Sequence, residues 1–145
     1  QLYVSCCDAI SDTGLLMLTS LTALVGLQLH SCLQLGDPAL QLVAQLTQLT
    51  SLCLSHSCED ASSTGLLSLT TLKNLRQLNL SAAAEGAEPG ALAQLLSVLS
   101  QLTWLDVSYC ESVNHAVLRV IAGLKQLEVL GLRWVPAAKT ILACT

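Results

Sequence analysis

The segment Cys53-Leu54-Ser55-His56-Ser57-Cys58 sets two thiols and an imidazole side by side, and His30 supplies a second imidazole. Such donors bind borderline-soft cations such as zinc, which takes four converging thiolate or imidazole ligands in a structural site. Cys53 and Cys58 fall at different positions of the repeating pattern described below and face different ways, so four ligands do not converge. Neither a metal nor any other cofactor is expected. Nucleophilic or hydrolytic chemistry has no better footing. The chain contains no G-x-S-x-G, H-E-x-x-H or P-loop pattern. His30, His56 and His115 occupy unrelated positions, and His115 lies beside a helix start. Asp12, Asp37 and Asp106 read as caps or surface groups. Cys6 beside Cys7 is a candidate reactive thiol, but no neighbour in sequence lowers its pKa. The residues therefore point away from an enzyme.

The elements that must carry these residues are set by an internal repeat. The pattern L-x-x-L-x-L appears at Leu24, Leu27 and Leu29, and again at Leu49, Leu52 and Leu54. It returns at Leu75, Leu78 and Leu80, at Leu102, Leu105 and Val107, and at Leu127, Leu130 and Leu132. Leu2 and Val4 end an earlier copy. The starts are 25, 26, 27 and 25 residues apart. Each L-x-L segment predicts a short strand with alternate residues turned inward. Between strands, Leu15, Leu18 and Leu21 recur as Leu40, Val43 and Leu46, as Leu66, Leu69 and Leu72, and as Leu118, Ile121 and Leu124. That series predicts one short helix per unit, capped at its start by Asp12, Asp37, Ser63 or Asn114. Pro38 suits the first helical turn. The fourth unit departs from the pattern. Its S-A-A-A-E-G-A-E-P-G stretch predicts an irregular loop, a place for mobility or a specific contact.

Composition fits this plan. The 145 residues are 52% hydrophobic and 11% charged, which excludes a disordered chain. The net charge of −4 leaves no basic footprint for nucleic acid or an anionic membrane. Phe is absent, so the core is aliphatic. Residues 13 to 36 carry no charge, but polar residues such as Thr19, Gln28 and His30 interrupt them, against a spanning helix. No charged segment precedes a short apolar run at the start, so no signal peptide is expected. Seven cysteines, an odd number at repeat spacing, do not make a disulfide framework. They favour a reducing compartment: cytoplasm, with nucleus or cilium as alternatives. The chain starts inside a strand, ends soon after one and has no polar capping unit. Residues 1–145 are thus expected to be one domain of about six strands within a longer array, its ends covered by further repeats or neighbouring chains.

Cys7, Cys32, Cys58 and Cys110 each stand eight residues before Leu15, Leu40, Leu66 and Leu118. The C-x-x-[ILV] pattern, clearest in C-D-A-I-S-D-T-G-L-L, resembles the cysteine-containing subtype of leucine-rich repeats, as in the repeat domains of F-box proteins. The resemblance implies an α/β solenoid: a right-handed horseshoe with parallel strands on the concave face and short helices on the convex face. It also implies a protein partner held on the concave face. The side chains expected there are Tyr3, His30, His56, Asn79, Trp104, Asp106, Tyr109, Arg133 and Trp134. Trp104, Asp106, Tyr109, Arg133 and Trp134 fall on adjacent strands and include the residue types enriched at binding hot spots. Trp134 could equally cover the open end of the core. The function this implies is an adaptor or substrate receptor for a cullin-based ubiquitin ligase. The alternative is a structural subunit of a large assembly such as a ciliary axoneme. A third reading, a GTPase activator, is disfavoured because Ran GTPase activators have longer units and no arginine here stands as a finger.

Overall fold

A computed structural model describes residues 1–7, 10–83 and 85–137. Six strands follow one another: β1 (Leu2–Ser5), β2 (Gly26–His30), β3 (Ser51–Cys53), β4 (Gln77–Asn79), β5 (Trp104–Asp106) and β6 (Val129–Gly131). They pair in parallel in chain order, giving one open sheet. Five helices lie between them: α1 (Asp12–Leu15), α2 (Asp37–Val43), α3 (Ser63–Ser68), α4 (Pro89–Val98) and α5 (His115–Ala122). The register aligns Leu2, Leu27, Leu52, Leu78, Leu105 and Leu130 in one row. The members of that row in β2 to β5 are fully buried. Each such leucine contributes about 1.5–3 kcal/mol by leaving water. No unit can bury this row alone. Strands and helices touch only the elements of neighbouring units, so the core grows by stacking.

The three-residue leucine spacing has a local consequence. A period of three matches a 3-10 helix better than an α-helix, because side chains at i and i+3 then eclipse. Accordingly α1 runs into a 3-10 segment at Leu16–Ser20 and α3 into another at Leu69–Thr71. Leu66, Leu69 and Leu72 are all buried by this geometry. In the fifth unit the helix stays α, and Val117, Ile121 and Leu124 face the core at the α-period. Leu118 is half-buried and packs against the core, whereas the inward expectation fails for Leu21, which is 44% exposed.

Three of the four expected caps also move. Asn114 caps α5 directly, accepting from the N–H groups of Ala116 and Val117. Asp12, Asp37 and Ser63 are instead the first helical residues, and they serve the next unit. Asp12 Oδ1 accepts from the N–H groups of Gly36 and Ala39, 3.1 Å from each. Asp37 accepts from the Ser62 N–H (2.7 Å) and the Ser62 hydroxyl (2.5 Å). Ser63 Oγ accepts from the Glu88 N–H at 2.9 Å. Gly36 has no side chain with which to cap α2, so the carboxylate of the preceding unit does it.

The cysteine column shifts in one unit. Counted from the strand, the position after L-x-L-x-x holds Cys7, Cys32, Ser57, Ala83, Cys110 and Val135. Cys32 Sγ lies 3.6 Å from the Val4 carbonyl, and Cys110 Sγ donates to the Leu80 carbonyl at 3.0 Å. In the third unit Ser57 takes this role: it accepts from the Cys32 N–H at 2.8 Å and donates to the Leu29 carbonyl. Cys58 is displaced by one residue and adopts a left-handed backbone, φ 57°.

The fourth unit carries the expected irregular loop of turns and bends, but a closely packed one. Ala83, Ala87 and Ala91 are buried, and the Glu85 N–H donates to the Glu59 carbonyl at 3.0 Å. A Cβ on Gly86 would stand 3.2 Å from the Ala61 carbonyl oxygen. Small residues let this stretch lie flat against the preceding unit, and α4 follows with Pro89 in its first turn. Among the described residues no helix is long and apolar enough to cross a membrane.

The strand face as candidate interaction site

Residues between the inward leucines form three rows across the outer side of the sheet. The first contains Gly26, Ser51, Gln77, Trp104 and Val129; the second contains Tyr3, Gln28, Cys53, Asn79, Asp106 and Gly131. The third follows the strands as Ser5, His30, Ser55, Ser81, Ser108 and Arg133. Beyond it, Cys6, Ser31, His56, Ala82, Tyr109 and Trp134 all sit in the left-handed region, φ 49–60°, and none is glycine. An L-residue there costs about 1–2 kcal/mol. The main chain compensates: the N–H groups of Cys6, Ser31, His56, Ala82 and Tyr109 donate to the next unit's His30, Ser55, Ser81, Ser108 and Arg133 carbonyls. The turn leaves Cys6, His56, Tyr109 and Trp134 exposed at the strand exits, while Ala82 is buried.

The expected site residues divide into three groups. At the N-terminal end Tyr3 is exposed and its hydroxyl donates to the Gln1 side chain. In the middle, His30 Nδ1 and Ser55 Oγ share a 2.6 Å hydrogen bond, and the His30 and His56 rings meet edge to face, centroids 5.7 Å apart. Cys53 Sγ lies 3.6 Å from Ser55 Oγ. Among the described residues no three His, Cys, Asp or Glu side chains are grouped to hold a metal ion. At the C-terminal end Tyr109 and Arg133 are joined by a 2.8 Å main-chain bond, and both are exposed. Trp134 is 72% exposed, while its neighbour Val135 is buried; the core at this position is covered by the valine.

Two members of the set do structural work. Asn79 Oδ1 accepts from the Ser81 N–H (2.9 Å) and Asp106 Oδ1 from the Ser108 N–H (2.8 Å). Each closes the chain at a strand exit, where a short polar side chain competes well for a free N–H. Asp106 also leans over Gly131, and a Cβ there would collide with its carboxylate.

Sequence reasoning that weighted rare residue types missed the shape between them. Gln28, Ser51, Cys53, Gln77, Asn79 and Trp104 ring an open depression of about 180 Å³ with Leu52 at its base. The signal was present as register: these positions share two rows with Trp104. The buried thiols are chemically quiet by comparison. Burial pushes Cys58 up to about 12, with Asp12, Cys32 and Asp37 adding to the rise. Burial likewise pushes Cys110 up to about 11, against the lowering effect of the Ala83 and Ala82 main chain. Both remain protonated at neutral pH, so neither is a nucleophile. Cys144 lies outside the described residues.

No protein-family model matches the chain, and no curated protein matches it. Among solved structures it is similar to an internalin of Listeria monocytogenes, at 18% identity and a TM-score of 0.50. The match covers 79% of this chain and 36% of that one, so the chain spans little more than a third of the internalin's length. With six parallel strands, interleaved short helices and this neighbour, the fold is an α/β leucine-rich-repeat solenoid.

Proposed function

We propose that the chain is a non-enzymatic protein-binding module whose strand face holds its partner. The observation that carries this reading is the exposed group Tyr109, Arg133 and Trp134 at the exits of the adjacent, hydrogen-bonded strands β5 and β6, with Trp104 at the start of β5. Aromatic and arginine side chains fixed on a rigid sheet lose little conformational entropy on binding and dominate many interfaces. Within that class, an adaptor or substrate receptor of the F-box type in a reducing compartment is the finer assignment, supported by the repeat pattern and the free thiols. Pull-down from native extract, repeated with Trp104→Ala and Trp134→Ala, tests it. The expected result is loss of the captured partner in at least one variant; an identical set from both ends the reading.

A second reading rests on the helix side. Leu16 and Met17 are 53% and 76% exposed there, with Leu21 close by in the chain. Exposed apolar side chains of this kind suit a permanent neighbour, as in a structural subunit of a large assembly. Co-purification at fixed stoichiometry that survives Trp134→Ala but not Met17→Asp favours it over the adaptor.

A further inference from the structure

We infer that the depression between β2 and β5 reads an uncharged, extended peptide segment of the partner through its main-chain amides. The inference rests on the strand-face reading above and adds the chemistry of what is bound. Three observations carry it. The first is charge. Across the three rows and the row beyond them, the described residues include one carboxylate, Asp106, and one guanidinium, Arg133, both at the C-terminal end. The carboxylate is already engaged by the Ser108 N–H. From β1 to β4 these rows hold only amides, hydroxyls, thiols, imidazoles, a phenol and small side chains.

The second is unused hydrogen-bonding capacity. Gln28 is half-buried, yet no side-chain hydrogen bond joins Gln28, Gln77 or the Trp104 indole to another described residue. Asn79 uses its carbonyl oxygen inward and keeps both amide N–H groups for the depression. No buried side-chain polar atom lacks a partner among the described residues, so these unused groups all face solvent from the depression. They comprise donors and acceptors together, which is the complement of a peptide main chain and a poor match to a phosphate or carboxylate.

The third is size. About 180 Å³ is well below the roughly 300–1,000 Å³ of pockets that enclose a small molecule. It accommodates one side chain, seated on the β3 main chain at Leu52 beside the Trp104 ring, while the flanking chain runs across Gln28 and Gln77.

A phage-displayed library of random dodecapeptides, selected on the whole chain, tests this. The expected winners lack Asp, Glu, Lys and Arg at their common core. Their affinity falls at least tenfold with Gln77→Lys and with Gln28→Leu, and is nearly constant between about 50 and 500 mM NaCl. Circular dichroism confirms that both variants fold. A charged consensus, strong salt dependence or indifference to both substitutions overturns the inference. If binding then still falls with Trp134→Ala, the strand-face reading stands without it. If no peptide is enriched, or binding ignores every strand-face variant, both fail.

Discussion

The carboxylate of Asp37 lies over the Cα of Gly65, one unit further along, so closely that a methyl group at Gly65 would strike it. The same carboxylate binds the main-chain and side-chain groups of Ser62, the residue that caps α3. Two units are thus locked by an acid that needs a glycine beneath it. Gly65→Ala is expected to destabilise the fold by about 1–3 kcal/mol, the range for forcing atoms into a packed site. Asp37→Ala removes charge-assisted bonds of about 1.5–3 kcal/mol. Because the collision disappears with the carboxylate, the double variant should be more stable than the sum of the singles indicates. Denaturant unfolding of all four proteins measures the coupling.

Ser57 is the second test. Its hydroxyl is buried between the Cys32 N–H and the Leu29 carbonyl. Ser57→Ala leaves both groups unmatched and should cost about 1–3 kcal/mol. Ser57→Cys should cost less, since a thiol fills the equivalent place at Cys110 and reaches the Leu80 carbonyl. Equal losses from the two variants would show that the hydroxyl's bonds are immaterial.

Ala82 addresses the left-handed row. Its φ of 49° disfavours any side chain, but its methyl group is buried and glycine forfeits that burial. Ala82→Gly relieves about 1–2 kcal/mol of backbone strain but loses about 0.8 kcal/mol of methyl burial and about 0.4–1 kcal/mol to the freer unfolded chain. A nearly unchanged denaturation midpoint is the expected outcome. His56→Val, which forces a β-branched residue into the same conformation, should lower it.

The thiols give a pH signature. Cys58 and Cys110 have an ordinary value of 9.0 raised by burial to about 12 and about 11. Below about pH 9 they are protonated in both folded and unfolded chains and stability does not depend on them. Above it the unfolded chain releases protons that the folded chain retains. Stability therefore falls as pH rises from about 9 through the folded-state values. Cys58→Ala should flatten the alkaline decline measured by denaturant midpoint. At pH 8 a disulfide reagent should label exposed Cys6 well before Cys58 or Cys110.

The leucines made the strands, the stacking and the parallel order legible, because a row of identical residues at near-constant intervals can be buried only by lateral repetition. The caps were legible as residue types but not as partners. Asp12, Asp37 and Ser63 stand where a helix begins, and nothing local tells that they reach forward by a whole unit. The Ser57 substitution was hidden because spacing counted back from the helix picks Cys58, whereas the bond is defined from the strand. In the candidate site, Trp104, Tyr109, Arg133 and Trp134 stood out by type. Gln28 and Gln77 did not, since a glutamine announces nothing until its hydrogen-bond partners are known.

The bonds from Asp12 to α2, from Asp37 to Ser62 and from Ser63 to Glu88 all run one way. The starts of α2, α3 and α4 are each finished by the unit before, whereas Asn114 caps α5 from within its own unit. The array therefore has an arrow. Paring units from its C-terminal side leaves these remaining helix starts with their partners, whereas paring from the N-terminal side bares the amides of the next helix in line. Erosion by protease or by fraying should accordingly advance faster from the first unit than from the last.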